Sequence, residues 1–169
     1  RLAQAGPGPL TDARDRWEPM RYDIVSDTHG HLSPELLERL RGADVIVHAG
    51  DMCSPSDHRA LAAIAPLRQC LGNNDYALEY GPLVKRVTRF FSDGMRWEVC
   101  HYRERLDLET CDIAICGHTH RPFVGRDERT GALVMNPGSP SFPRGSAPTM
   151  GRIVCDGGVV VSAEIIALD

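Results

Sequence analysis

No Cys-x-x-C pair occurs among the six cysteines, Cys53, Cys70, Cys100, Cys111, Cys116 and Cys155. Zinc-ribbon and thioredoxin-type sites need that spacing, so both are excluded. No apolar run approaches the ~18–20 residues of a membrane helix. The longest, 44–49 and 159–168, are strand-sized or broken by Ser162 and Glu164. No Lys/Arg cluster stands out in a chain of net charge -4, so no nucleic-acid-binding surface is evident. Two further strings are missing. A zincin helix needs His-Glu-x-x-His, which occurs nowhere, and Pro122 and Phe123 stand where a metallo-β-lactamase site continues His-x-His with x-Asp-His.

What is present is an ordinary globular composition, 42% apolar and 25% charged over 169 residues. That argues against disorder or a fibrous repeat and suits one domain of roughly 100–200 residues. With no secretory signal before them, the thiols are expected to be reduced and the protein cytoplasmic. Gly6-Pro7-Gly8-Pro9 and the polar 11–18 stretch set residues 1–19 apart, as an extension that is flexible or left from cloning. A single domain is expected over 20–169.

From Met20 the chain alternates. Strands are predicted at 21–26, 44–49 and 67–71, with helices at 34–40 and 57–65 between them. Ser33 is a good N-cap, Pro34 suits the first helical position, and Glu35 complements the positive end of the dipole. The β-α-β-α-β order implies a parallel sheet with flanking helices. The second half reads as hairpins: 83–91 with 95–101 around Ser92-Asp93-Gly94, 123–126 with 132–135, and 152–155 with 159–166, beside a short strand at 113–116. Two sheets packed face to face, with helices outside, follow from that order. A homo-oligomer paired through an exposed hairpin such as 83–97 is left open.

The notable polar residues come directly after strands: Asp27 and His29, Asp51, Asn73, His101, then His118 and His120. In open α/β sheets, ligands bind outside the carboxyl ends of strands. Four His, two Asp and one Asn offer nitrogen and oxygen donors without a thiolate, suited to borderline or hard divalent ions. Seven donors exceed the need of one tetrahedral ion, whereas two ions sharing a carboxylate would use all. Gly50, Gly72 and Gly117 allow sharp backbone turns beneath the donors.

Asp27-x-His29, Gly50-Asp51, Gly72-Asn73-x-Asp75, His101 and Gly117-His118-x-His120 together resemble the calcineurin-like metallophosphoesterases. Ser26-Asp27-Thr28-His29-Gly30 and Asn136-Pro137-Gly138-Ser139 are most similar to its small bacterial and archaeal phosphodiesterase branch. The resemblance implies an α/β fold, a four-layer α-β-β-α sandwich with two mixed β-sheets. It also implies a binuclear centre, with Mn first among candidate ions and Fe, Zn, Ni or Co as alternatives. Asp27, His29 and His120 would hold one ion, Asp51 would bridge, and Asn73, His101 and His118 would complete the second. The implied reaction is hydrolysis of a small phosphate ester, a diester before a monoester, by a hydroxide held between the ions, with Asp51, Asn73 and His101 acting through the metals. A eukaryotic sorting-complex subunit resembles the fold but serves as a scaffold, so a non-catalytic interaction module is the alternative.

Three departures from the family pattern stand out. Asn74 replaces a His thought to assist the leaving group, Tyr102 replaces a Gly, and 103–110 replaces a longer helical connection. Among the remaining polar residues, Asp75 is expected to orient imidazoles, Asn74 to stand behind the metal ligands or against substrate, His48 to support the site from within its strand, and Asn136 and Ser139 to support the metal shell. Arg121 would touch substrate phosphate or pair with the rim. His31 is divided between pocket wall and solvent-facing loop, and His58, Arg103 and Arg105 are expected in solvent.

Overall fold

A computed structural model describes residues 18–168. The expected extension at 1–19 therefore lies, except for its last two residues, outside the described residues. Among the described residues, ten strands and two α-helices run in the order β1 (Met20–Val25), α1 (Pro34–Leu40), β2 (Val45–His48), α2 (Pro55–Ile64), β3 (Leu67–Gln69), β4 (Val87–Ser92), β5 (Met95–Cys100), β6 (Ile113–Ile115), β7 (Phe123–Arg126), β8 (Leu133–Asn136), β9 (Thr149–Asp156) and β10 (Val159–Ala167). They form two mixed five-stranded sheets, β10-β9-β1-β2-β3 and β4-β5-β6-β8-β7. In the first, β1, β2 and β3 are parallel; in the second, β5, β6 and β8 are. The three expected hairpins form, and β9–β10 joins the first sheet alongside β1.

Alternation along each strand divides the two faces. Tyr22 and Ile24 of β1, Val45 and Val47 of β2, Trp97 and Val99 of β5, and Ile113 and Ile115 of β6 meet in the core between the sheets. The Trp97 ring stacks on Phe90 at 5.4 Å and tilts against Tyr22 at 4.4 Å. The opposite residues, Val25 and Ile46, face Leu36 and Leu40 of α1 and Leu61 of α2. Gly151 of β9 is required where the sheets meet: an added Cβ would lie 2.4 Å from Met135 Sδ and 3.2 Å from Ile24 Cβ.

The helices begin where short side chains can accept. Ser33 Oγ accepts the Leu36 N–H at 3.2 Å, and Ser54 Oγ accepts the Asp57 N–H at the same distance, each followed by proline. α2 thus starts two residues before its predicted position, because Ser54-Pro55 repeats the Ser33-Pro34 signal. The C-terminal carbonyls of α1 are satisfied from the sheet. Arg21 and Arg152 both grip the buried Asp23 carboxylate and also donate to the Arg39 carbonyl, at 2.6 and 3.0 Å. Such carbonyls have no partner within their own helix.

Over the second sheet, no α-helix is found among the described residues. The 3₁₀ turn Arg103–Arg105 and the loop after it cover that face, with Leu106 and Leu108 against Cys111, Ala114 and Val134. The fourth layer is therefore thin at the stretch that the sequence shows to be short. All six cysteines are unpaired, five of them buried and Cys53 exposed. No helix among the described residues is long and apolar enough to cross a membrane.

Candidate metal centre

The carboxyl ends of β1, β2, β3, β5 and β6 open onto one rim. Backbone bonds extend the β1–β2 pairing past the strand ends: Asp27 N–H to Gly50 O at 2.9 Å and His29 N–H to Asp51 O at 3.0 Å. Gly117 N–H donates to His101 O at 3.1 Å, joining the corresponding ends of the second sheet. The donor-bearing residues then turn through an unusual backbone. Asp27, His29, Asp51, His118 and His120 all have φ between 48° and 73°. Non-glycine residues rarely adopt this left-handed region, and its recurrence in five candidate donors marks stored strain at the rim.

Their side chains converge. Asp27 Oδ1 lies 3.4 Å from His120 Nε2 and 3.8 Å from His29 Nε2, and the two imidazole nitrogens are 3.3 Å apart. Asp51 Oδ2 lies 3.3 Å from His101 Nε2 and 3.7 Å from His29 Nε2. Asn73 Oδ1 is 3.0 Å from His101 Nε2. Donors ~2.0–2.2 Å from one ion stand about 3–3.5 Å from each other, so these separations suit ligands of shared cations. Two clusters meet at Asp27: one with His29 and His120, the other with Asp51 and His101. His118 is exposed and belongs to neither. Its backbone N–H reaches Asp27 Oδ2 at 3.0 Å, while its ring leans on His101 (5.1 Å) and Tyr102 (4.7 Å).

The outer bonds of two rings set which nitrogens face the centre. His101 Nδ1 donates to the Ala49 carbonyl at 2.7 Å, and His120 Nδ1 donates to the Phe142 carbonyl at 2.6 Å. Carbonyls only accept, so in the neutral rings both Nε2 atoms carry lone pairs. These point at other acceptors, and Asp27 Oδ1 is buried without a hydrogen-bond partner. Burial pushes the Asp27 carboxyl upward against His101 and Ser26. For Asp51, burial acts upward too, but bonds from His101 and Asn74 outweigh it and hold the carboxyl far below its usual range. His101 is held upward: burial opposes its charge, and Asp51 and Asp27 overcome that. A pocket of acceptors that draws in positive charge fits divalent ions.

The surrounding residues fix loops more than rings. Asp75, expected to orient imidazoles, instead accepts four bonds: from the N–H groups of Asp51 (2.7 Å), Gly72 (2.7 Å) and Cys53 (2.9 Å), and from Tyr80 OH (3.2 Å). Asn74 donates its backbone N–H to Asp51 Oδ1 (2.8 Å) and its side-chain amide to Oδ2 (2.9 Å), holding both oxygens of that carboxylate. His48 is buried between the first two loops. It accepts from Gly50 N–H at 3.1 Å and donates to Thr28 Oγ1 at 2.9 Å, and burial depresses it to about 4. Asn136 donates to Gly117 O (3.0 Å) and Thr119 Oγ1 (3.1 Å); Ser139 Oγ donates to Asp27 O (2.8 Å).

Close approach matters at two glycines. A Cβ on Gly72 would fall 2.1 Å from Asp51 Oδ1, and one on Gly117 would fall 2.0 Å from Ser26 Oγ and 2.7 Å from Asp27 Oδ2. Arg121 makes no ion pair among the described residues and lines a cleft beside His118. Arg103 and Arg105 are exposed, as expected, and lie over the Phe123 and Tyr102 rings at 4.6 and 4.8 Å. His58 is half-buried, bonded to Gln69 Oε1 at 2.6 Å, and His31 is exposed.

Comparison with known proteins agrees with this architecture. Residues 20–158 match the calcineurin-like phosphoesterase superfamily domain. A probable metallophosphoesterase of Methanothermobacter thermautotrophicus is 31% identical over 163 residues, spanning 87% of this chain and 92% of the relative. Among solved structures, an archaeal phosphodiesterase superposes with a TM-score of 0.72 at 21% identity, over 87% of this chain and all of the other. Vacuolar protein sorting 29 from Cryptosporidium parvum superposes with a TM-score of 0.70 at 17% identity, over 88% and 98% of the two chains.

Proposed function

The chain belongs to the calcineurin-like phosphoesterase superfamily, and from that premise we propose that it is a binuclear metal-dependent hydrolase of phosphate diesters. The observation that carries this reading is the convergence of ligand atoms: His120 Nε2 and His101 Nε2 lie 3.4 and 3.8 Å from Asp27 Oδ1, a buried oxygen with no hydrogen-bond partner among the described residues. In this assignment Asp27, His29 and His120 would hold one ion, Asp51 would be shared with a second, and Asn73, His101 and His118 would complete the second set. When bound, a pair of divalent ions lowers the pKa of water to about 7 and stabilises charge on phosphoryl oxygens.

The chain's own residues set the terms of that chemistry. The Ala49 and Phe142 carbonyls accept from Nδ1 of His101 and His120, which turns Nε2 of each ring towards the centre. Asn74 holds both oxygens of Asp51 and fixes the carboxylate plane. As an amide it cannot protonate a departing alkoxide, which favours esters of acidic alcohols or phenols. Manganese is the first ion to test.

The experiment is turnover of bis-p-nitrophenyl phosphate with and without Mn²⁺. Metal-stimulated release of p-nitrophenol, lost in Asp51→Asn together with metal affinity, is expected. Folded protein without any metal-stimulated turnover would refute the reading. The likeness to a sorting protein, with Tyr76, Leu78 and Leu83 exposed on one loop, supports a second reading as a non-catalytic interaction module, which that negative result would favour.

A further inference from the structure

Two cavities lie beside the candidate donors. One, of about 470 Å³, is lined by His29, His120, Phe142, Pro143 and Arg144. The other, of about 210 Å³, has Tyr102, Arg103, Glu104, His118 and Arg121 among its walls. They lie at opposite ends of the cluster, which runs from His29 and His120 through Asp27 and Asp51 to His101, where the His118 ring rests. A phosphorus centred on the carboxylates would thus have space on either side. A monoester has one organic arm and would fill only one cavity, whereas a diester fills both.

The larger cavity has a specific wall. The Phe142 ring is 51% exposed although it stands beside buried groups, edge-on to His29 with centroids 5.6 Å apart at 89°. It is held in place at both ends of its residue: Phe142 N–H donates to Ser139 Oγ at 2.8 Å, and its carbonyl accepts from His120 Nδ1. Arg144 is tied in as well, its N–H reaching the His120 carbonyl at 3.3 Å. A half-exposed phenyl ring, with Pro143 and Arg144 lining the same cavity, offers flat apolar surface and a cationic side chain able to stack on a π system. Flat aromatic groups gain from such a wall, and small alkyl groups do not.

We propose that Phe142, Pro143 and Arg144 form the subsite for a planar aromatic arm, aryl or nucleoside, of a phosphodiester substrate, with the second arm in the cleft beside Arg121. The inference rests on the diesterase reading above and specifies which diesters it takes. In the reaction, water adds its oxygen to phosphorus as the P–O bond to one arm breaks. That arm leaves as an alcohol or phenol with one of water's protons, and the other proton remains with the new phosphate oxygen.

The test uses phosphonates, whose P–C bond is not hydrolysed, so binding is read without turnover. Phenylphosphonate and methylphosphonate are titrated calorimetrically into the Mn²⁺-loaded protein, and metal content per chain is measured for every variant. Phenylphosphonate should bind about fivefold or more tightly than methylphosphonate, the low end of aromatic stacking. Phe142→Ala should reduce that ratio to near one, Phe142→Tyr should keep it, and Phe123→Ala, on the other cleft, should keep it too. Equal affinities in the unaltered protein, or a preference that survives Phe142→Ala at full metal content, would overturn the subsite while leaving the hydrolase reading intact. Failure of both phosphonates to bind the metal-loaded protein would overturn both, in agreement with an absence of diester turnover.

Discussion

Asp75→Asn is the most informative single change outside the donors, because Asp75 joins the loops after β2 and β3. Its Oδ2 accepts from the Asp51 and Gly72 N–H groups, both at 2.7 Å, and its Oδ1 accepts from Cys53 N–H and Tyr80 OH. An asparagine amide has one acceptor and one donor end. Turned either way, its NH₂ meets at least one backbone N–H: Cys53 in one orientation, Asp51 and Gly72 in the other. Each buried N–H left unpaired costs about 1–3 kcal/mol, and bonds to a charged acceptor contribute about 1.5–3 kcal/mol. With partial relaxation, a net loss of about 2–4 kcal/mol is expected. For a domain of this size that lowers Tm by on the order of 5–10 °C. Since the Asp51 N–H is one of the four donors, metal affinity should also fall, by about 10–100-fold. Thermal unfolding of the metal-free protein and Mn²⁺ titration measure the two effects separately. A variant that melts within about 1 °C of the parent and binds Mn²⁺ as tightly would refute the view that this carboxylate organises the rim.

Gly117→Ala should lose Asp27 as a donor, because the new Cβ falls on Ser26 Oγ and Asp27 Oδ2. Denaturant unfolding is expected to show a loss of about 1–3 kcal/mol, and a stability equal to the parent's would contradict the close approach. His48 makes stability depend on pH. Its folded value, about 4, lies below the ordinary 6.5 because burial opposes its charge, so the unfolded chain binds the extra proton first. Its contribution, up to about 3 kcal/mol, is fully present above pH 6.5 and is lost as pH falls towards 4. His48→Gln should flatten the stability–pH curve across that window, and an unchanged slope would assign it elsewhere. Adding Mn²⁺ at a hundred times its Kd should stabilise the chelator-stripped protein by about 2.7 kcal/mol per site, read as a rise in Tm; no rise would argue against a metal centre.

The polar residues of the rim were legible as candidates because each follows an apolar strand, and a parallel sheet brings strand ends together whatever its exact register. Ser33-Pro34 and the turn signals at 92–94 and 156–158 act locally, so α1 and the hairpins could be read directly. What escaped depends on residues distant in sequence. Nothing near Asp23 announces that Arg152, 129 residues away, will share it with Arg21. Nor does Asn74 reveal that its amide turns onto Asp51. His118 carries the right side chain in the right motif, yet its exposure follows from how the loop after β6 passes Tyr102, which spacing does not encode. Gly72 and Gly117 read as turn formers; their need for hydrogen in place of Cβ arises only when two loops from different strands press together.

The left-handed turns at Asp27, His29, Asp51, His118 and His120 set durability against activity. Each of these positions holds a side chain in a conformation that glycine would occupy at less cost, by about 1 kcal/mol. Glycine at the five turns would therefore leave a tougher fold, stripped of the carboxylates and imidazoles that give the rim its chemistry.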